Sequence, residues 1–536
     1  MVVPELGPWR AARPRVKRVA DAVRPRLARA VHAVRPRLAR AATAARPRIA
    51  RLARAVAPRA ARITAPKTWQ YTAGAATAGL VLAAGVVTAA GPWDATGQRT
   101  AERDRAAAPG ATGGADHDAP GTAGGPRPAP SAASVLAGLG GGTRAVDTAP
   151  DSARLATLLG PLLDDPALGR RSAAVVDVAT GERLYGDGSG RALVPASTTK
   201  IATAAAVLDA LGPGHRLTTR TALEPGTREV VLVGGGDPTL TARKDAEGWA
   251  SLRDLADGTA RALKKRDLRD VTLSYDTTLY AGPALHPIGP NENLAPVTAL
   301  MADEARTDDS TRGPAARAVD PAREAAAAFA SFLAERGVRT TSPGPSKATA
   351  RAADLAEVTS PPLSALVERM LTNSDNDIAE ALARQTALAS DRRPDFDGAG
   401  KAIKDRLRRL GLPVSGAAFR DGSGLDRDDR LTADLLTGLL AKAADPSGPR
   451  LRATLTGLPV AGFTGTLSGR YADGAAGVVR AKTGTLTGVN ALAGTVVDRD
   501  GRLLAFAFLA SGTTDPGAAQ SALDRAATAL ASCGCT

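Results

Sequence analysis

The sequence predicts a mixed α/β (α+β) fold, because short strands near both ends of its folded region enclose a long helical stretch. A helix, SARLATLLGPLL, opens this region and is followed by the strands AAVVDVA and ERLYGD. The strands GVVRAKTG, NALAGTVVDRD and GRLLAFAFLAS precede a closing helix. One sheet to which both ends of the region contribute explains this order of elements.

The segment 1–68 is a basic repeat with a period of 11 residues. Its copies begin with Arg-Pro-Arg at Arg13, Arg24, Arg35 and Arg46. Each copy predicts a short amphipathic helix, and we expect residues 10–62 to contact anionic lipid, with nucleic acid as the alternative partner. Residues 68–536 carry 51 basic and 52 acidic residues. Since the folded region has no excess of positive charge, we expect no nucleic acid partner.

An uncharged segment of 21 residues follows at 71–91. As a helix it would rise about 32 Å, which is enough to cross the apolar core of a bilayer. Basic residues are concentrated on its N-terminal side, so the positive-inside rule places residues 1–68 in the cytoplasm and the bulk of the chain outside the cell membrane. We therefore predict a single-pass membrane anchor at 69–93. Secretion after cleavage of a signal peptide near Ala90 is the alternative.

The remaining chain divides into a linker and two folded parts. Residues 94–150 are rich in Gly, Pro, Ala and charge without periodicity, which predicts a disordered linker. The main domain is predicted at 151–214 and 356–536. An α/β domain inserted at 215–355 is predicted from the strands EVVLV and DVTLSYD and the helix WASLRDLADGTARALKK between them.

Histidine and cysteine are too few and too scattered to predict a metal site or a Ser-His-Asp triad. The four histidines form no H-x-H or H-E-x-x-H pattern. Cys533 and Cys535 are the two cysteines of the chain, so neither a disulfide framework nor a thiolate metal site is predicted. We expect no metal and no cofactor.

A helix predicted after the second strand begins near Ser197 and carries Lys200 one turn later. Its apolar stripe comprises Ile201, Ala204, Ala205, Leu208 and Leu211. Residues three apart on a helix are neighbours, so the Lys200 amine can serve as a base for the Ser197 hydroxyl. An N-cap serine with a solvated lysine is the ordinary interpretation of such a pair. Further motifs must decide between the two.

Two such motifs follow in order along the chain. Ser-Asp-Asn at 374–376 lies in a polar break between helical segments, and Lys-Thr-Gly-Thr at 482–485 ends a strand. Together with Ser-x-x-Lys they resemble the three active-site motifs of penicillin-binding proteins and serine β-lactamases. The stretches VGGGDPTL, DGSGL and GTL and the domain-sized insertion narrow the resemblance to the D-alanyl-D-alanine carboxypeptidase/endopeptidase family of low-molecular-mass (class C) penicillin-binding proteins, over about residues 150–530. We interpret GGGDPTL and DGSGL as glycine turns without a catalytic role.

The resemblance implies a penicillin-binding-protein/β-lactamase-like fold, with an antiparallel five-stranded sheet flanked by helices and a helical subdomain. It also implies that Ser197 attacks the penultimate D-Ala carbonyl and that neutral Lys200, with its pKa lowered by Lys482, takes the proton. The oxyanion is expected between the N–H groups of Ser197 and Thr485, and Ser374 is expected to relay a proton to the leaving D-Ala. The implied catalytic residues are Ser197, Lys200 and Ser374, and the implied substrate-binding residues are Asn376, Lys482, Thr483, Gly484 and Thr485.

The function implied is a serine peptidase that acts on peptidoglycan stem peptides through an acyl-enzyme and is covalently inhibited by penicillin and other β-lactams. A serine β-lactamase is one alternative. Glu380 is the only glutamate between the second and third motifs, and its place in a helix is wrong for a deacylating base. A penicillin-binding sensor without turnover is the other alternative, and it would keep the same motifs.

Overall fold

The computed structural model describes residues 151–471 and 474–534. The basic repeat, the membrane anchor and the linker that the sequence predicts at 1–150 lie outside these residues. Within the described ranges, no helix combines the length and the apolar character that crossing a bilayer requires.

Eleven strands and ten α-helices make up the described part of the chain. The strands are β1 (Arg170–Asp177), β2 (Arg183–Asp187), β3 (Thr218–Leu223), β4 (Glu229–Val233), β5 (Asp270–Asp276), β6 (Arg339–Thr340), β7 (Gly344–Pro345), β8 (Ala353–Thr359), β9 (Val479–Leu486), β10 (Val489–Val497) and β11 (Leu503–Ser511). The helices are α1 (Ser152–Leu163), α2 (Thr199–Leu211), α3 (Leu252–Lys264), α4 (Pro321–Glu335), α5 (Leu363–Asn373), α6 (Asn376–Leu388), α7 (Phe396–Arg409), α8 (Ala433–Ala444), α9 (Ala453–Thr456) and α10 (Pro516–Ser532).

The first sheet has five antiparallel strands in the order β2-β1-β11-β10-β9. Its central strand, β11, pairs with β1 on one side and with β10 on the other. All of β11 except Leu503 is buried, as expected of a strand covered on both faces. The prediction of a sheet assembled from both ends of the folded region is confirmed.

Helices cover both faces of this sheet. On one face, α1 and α10 pack against apolar side chains that include Phe506 and Phe508. On the other face lies a helical layer formed by α2 and α5 to α8. Every residue of α2 from Thr199 to Leu208 is buried, so the single apolar stripe predicted for this helix is too narrow. The helix that follows Ser197 therefore lies in the interior of the protein.

The second sheet lies in the chain between α2 and α5. It falls in the stretch predicted as an inserted domain at 215–355, except that its strand β8 continues to Thr359, beyond the predicted boundary. Its strand order is β6-β5-β4-β3-β8, with the short β7 beside β5. The pairs β4–β5 and β5–β6 are parallel, whereas β3 pairs antiparallel with β4 and β8. Helices α3 and α4 pack against this sheet around Phe329.

Local signals explain where several elements begin and end. Helix α1 begins after Asp151, whose carboxylate accepts the N–H of Ala153. The hairpin between β10 and β11 turns at Gly501, with a φ of +83° that glycine adopts without steric cost.

Cys533, which follows α10, is disulfide-bonded, a bond that was not expected from the sequence.

Candidate active site

Ser197 lies in a 3₁₀ turn, Ala196–Thr198, immediately before α2. The expectation that it belongs to the first turn of the α-helix is therefore corrected. Ala196 has a φ of +47°, which is left-handed and costs an alanine about 1–3 kcal/mol. Strand β9 packs against this turn so closely that a Cβ at Gly484 would lie 2.5 Å from the Pro195 carbonyl oxygen. Glycine in the third motif thus lets the strand approach the nucleophile.

Lys200 is fully buried, so the interpretation as a solvated lysine is wrong. Its Nζ lies 3.0 Å from Ser197 Oγ, 2.7 Å from Asn376 Oδ1 and 2.7 Å from the Ser423 carbonyl oxygen. A neutral amine has two N–H donors and one lone pair. Because Asn376 Oδ1 and the Ser423 oxygen can only accept, they take the two N–H groups, and the lone pair is left for the hydroxyl hydrogen of Ser197. The contacts of the amine therefore direct it toward the nucleophile.

Burial is the main cause of the altered acidity of Lys200. It lowers the pKa of the amine to about 8, although the carboxylates of Asp421 and Glu380 act in the opposite direction. The expectation that Lys482 is the cause is thus corrected. Burial, and then the charge of Lys200, also lowers the pKa of Lys482 well below its ordinary value. The interior does not readily hold two charged ammonium groups.

The second pair of groups consists of Ser374 and Lys482. Ser374 ends α5 in a left-handed conformation, with a φ of +58°. Lys482, on β9 and fully buried, donates from Nζ to Ser374 Oγ at 2.9 Å and to the Thr483 carbonyl at 2.8 Å. A proton on Lys482 can thus reach the hydroxyl of Ser374, as a relay to a leaving group requires.

A cavity of about 280 Å³ connects the three motifs. Its lining includes Ser197, Ser374, Asn376 and Thr485. Lys200 and Lys482 do not line the cavity. Their amines contact Ser197 and Ser374, which do line it. Thr483 donates its hydroxyl to Thr466 of the GTL stretch, and Gly484 faces the Pro195 turn. The eight predicted residues therefore lie together, although only four of them line the cavity.

Two residues of the site were missed by sequence reasoning. Asn293, from the stretch predicted as the inserted domain, accepts on its carbonyl oxygen the Asn376 Nδ2 hydrogen at 2.9 Å, and it lines the cavity. Ser423, in the DGSGL stretch, holds the Lys200 amine, so the interpretation of that stretch as a turn without a role in the site is wrong. Both act through main-chain carbonyls, which leave no side-chain signal in a sequence. The family resemblance, which included the DGSGL stretch, was the only sequence signal that pointed to Ser423.

Comparison with known proteins identifies the family of this arrangement. The model of the D-Ala-D-Ala carboxypeptidase 3 (S13) family matches residues 155–317 and 307–530. The chain belongs to this family. The resemblance inferred from the motifs is confirmed.

Proteins related in sequence to this S13-family chain are named carboxypeptidases. The carboxypeptidase DacB of Mycolicibacterium smegmatis is 40% identical over 400 residues, which are 71% of this chain and 84% of that protein. A D-alanyl-D-alanine carboxypeptidase of an Actinomadura strain is 31% identical over 435 residues, which cover 66% of this chain and 80% of that protein. Penicillin-binding protein 4 of Haemophilus influenzae matches with a TM-score of 0.58 at 21% identity, over 71% of this chain and 98% of its own. The expected penicillin-binding-protein/β-lactamase-like fold is thereby confirmed.

Proposed function

We propose that this S13-family chain is a serine D-Ala-D-Ala carboxypeptidase/endopeptidase, with peptidoglycan stem peptides as its substrates and Ser197 as its nucleophile. The observation that carries the proposal is the set of contacts around Lys200, which leave its lone pair for the Ser197 hydroxyl. The second lysine donates to Ser374, which lines the same cavity as Ser197 and can pass a proton to a leaving amine. Family membership and the names of the relatives support the same substrate class.

The reaction follows from these contacts. Lys200 takes the proton of Ser197 while Oγ attacks the carbonyl carbon of the penultimate D-Ala. The oxyanion is held by the main-chain N–H groups of Ser197 and Thr485, and the terminal carboxylate by Lys482 and Thr485. As the peptide C–N bond breaks, a proton passes through Ser374 to the nitrogen of the departing D-Ala. Water then hydrolyses the ester on Ser197, and Asn376 holds the peptide amide of the substrate.

The β-lactamase alternative requires a base that activates water against the ester on Ser197. Glu380 is fully buried, and its Oε1 accepts the N–H groups of Gly422 and Ser423 at 3.0 and 2.8 Å. A carboxylate held in this way has no access to water at the nucleophile. The penicillin adduct of this protein should therefore hydrolyse slowly, because the opened ring stays attached and hinders the approach of water.

Labelling of the full-length protein with a fluorescent penicillin tests this proposal. We expect a covalent adduct that persists for minutes in a chase with unlabelled penicillin, and no adduct in Ser197→Ala. Rapid repeated turnover of penicillin would favour the β-lactamase. Release of D-Ala from a peptide ending in D-Ala-D-Ala distinguishes the enzyme from a sensor. Labelling that survives Ser197→Ala would remove this residue as nucleophile.

We propose in addition that the protein is anchored in the cell membrane by residues 71–91, with the catalytic domain outside and residues 10–62 against anionic lipid. The charge asymmetry around the uncharged segment supports this orientation. Cell fractionation, followed by protease treatment of spheroplasts, should find the full-length chain in membranes and its catalytic domain accessible. Recovery from the soluble cytoplasm would contradict the orientation, and a mature N-terminus near Ala90 would replace the anchor by a signal peptide.

A further inference from the structure

The direction of the Lys200 amine depends on a carbonyl outside the three motifs. Asn376 belongs to the second motif, but Ser423 supplies the other acceptor through its main chain. If this carbonyl moves away, one N–H of the neutral amine has no acceptor in a buried site and competes for Ser197 Oγ. The lone pair then no longer points reliably at the hydroxyl hydrogen. What fixes the position of the Ser423 carbonyl is therefore part of the mechanism.

Two buried carboxylates hold the loop 421–424. Glu380 Oε1 accepts the N–H groups of Gly422 and Ser423. Asp421 Oδ1 accepts the N–H of Gly424 at 2.6 Å, and its Oδ2 accepts the N–H of Asp426 at 2.7 Å. The side chains of Glu380 and Asp421 are both fully buried. The loop thus takes its shape from two carboxylates rather than from regular secondary structure.

The loop is also confined by close packing. A Cβ at Gly422 would lie 2.5 Å from the Cβ of Ala383 on α6, and a Cβ at Gly424 would lie 1.9 Å from the carbonyl oxygen of Ala196. The same loop therefore contacts both the turn of the nucleophile and the amine of the base. A small displacement of the loop would be transmitted to both groups.

His286 reaches this loop from the stretch between β5 and α4. Its Nε2 lies 3.0 Å from Asp421 Oδ2, and its side chain is 1% exposed. The N–H of Ile288 points at Nδ1 at 3.2 Å, so Nδ1 accepts and Nε2 carries the ring proton that is donated to Asp421. The ring packs edge-on against Phe396, with centroids 5.0 Å apart. Both nitrogens and the ring orientation are thus fixed.

We propose that His286 is a positioning residue of the reaction: its Nε2–H holds Asp421, and through Asp421 it holds the loop whose Ser423 carbonyl orients the amine of Lys200. The proposal rests on the proposed function, since it assumes that Ser197 is acylated with Lys200 as its base. The histidine touches neither the substrate nor the reacting atoms. Its effect should therefore appear in the covalent step and leave the binding of penicillin unchanged.

A matched pair of substitutions separates positioning from packing. His286→Gln places an amide N–H near the position of Nε2 and can still donate to Asp421. His286→Asn places its amide near Nδ1, where it can accept the N–H of Ile288 but cannot reach Asp421. Stopped-flow labelling of the full-length variants with fluorescent penicillin separates the limiting acylation rate from the half-saturating concentration. Thermal unfolding reports whether each variant folds.

We expect His286→Asn to lower the limiting acylation rate about 10- to 100-fold at an unchanged half-saturating concentration, and His286→Gln to stay within about threefold of the parent. Equal rates in the parent and in a folded His286→Asn would overturn the inference, as would equal losses in both variants. If His286→Asn does not fold, the glutamine variant decides, and a loss of about tenfold there contradicts the proposal. A parent that is not labelled at all would instead contradict the proposed function.

Discussion

At the scale of single residues, the site depends on two lysines that share one interior. Lys200 and Lys482 are both fully buried, and the pKa of each is lowered by that burial. Their roles differ because their partners differ. Lys200 contacts the nucleophile, whereas Lys482 contacts Ser374. In the proposed reaction, two similar side chains thus supply a base and an anion-binding group.

The lowered pKa of Lys200 predicts how acylation depends on pH. The amine accepts a proton only when neutral, and its pKa is about 8. Below that value the neutral fraction falls about tenfold per pH unit, so the acylation rate should rise with pH up to about 8 and then level off. Labelling with fluorescent penicillin in buffers between about pH 6 and 9.5 measures this profile. A rate independent of pH across this range would remove Lys200 as the base.

Replacing the amine by an apolar group of similar length tests the same residue more directly. Lys200→Met should fill the buried space, keep the fold and lower the acylation rate by at least about 10³-fold, because no other base contacts Ser197 Oγ in the described structure. The exposed Lys347 offers a matched control, and Lys347→Met should label like the parent. Acylation of Lys200→Met within about tenfold of the parent would contradict the assignment.

At the scale of elements, the third motif acts through its main chain as much as through its side chains. The contact between β9 and the Pro195 turn is a main-chain approach, which requires glycine at 484. In a sequence such an approach appears only as a short motif, which does not give the distance between the two main chains. Strand positions, by contrast, follow from apolar runs and turn residues, which is why β4 and β5 have the predicted bounds.

A methyl group placed in this contact should disturb the nucleophile. In Gly484→Ala the added Cβ would lie 2.5 Å from the Pro195 oxygen, so the turn that carries Ser197 must move. We expect a loss of stability of about 1–3 kcal/mol and a loss of acylation larger than that loss of folded protein explains. Gly469→Ala is the control, because its Cβ meets no atom within 4 Å. Chemical denaturation and penicillin labelling of the same samples measure both effects.

At the scale of the whole molecule, buried charges near the cavity join the stretch between β5 and α4 to helix α6. Arg317 lies 3.0 Å from Asp377 of α6, and both side chains are at most 4% exposed. The hydrogen bond from Asn376 to Asn293 makes a second link between the same regions. Sequence patterns predicted the strands of the first sheet but only β4 and β5 of the second, since periodicity is local. They could not predict this junction, because a buried ion pair depends on which distant residues the fold brings together.

Breaking this ion pair should destabilise the protein. Arg317→Met leaves Asp377 buried without its cation, which we expect to cost about 3–5 kcal/mol. Arg312→Met, at an exposed arginine of the same stretch, should change stability by less than about 0.5 kcal/mol. Denaturant unfolding followed by circular dichroism measures both variants. Equal stability of Arg317→Met and the parent would mean that the pair contributes nothing to the junction.

The position of β11 has a consequence for the order in which this protein folds. The strand at the centre of the first sheet is the last strand to be synthesised. Strand β1 can pair with it only after more than 300 further residues have been made. Lys200 likewise meets Asn376 and Ser423 only after 176 and 223 further residues have been made. Nascent chains that end before β11 should therefore leave the β11-facing edge of β1 unpaired, although β2 can already cover its other edge, and depend on chaperones to avoid aggregation. The peptidase can begin to react only when its synthesis is almost complete.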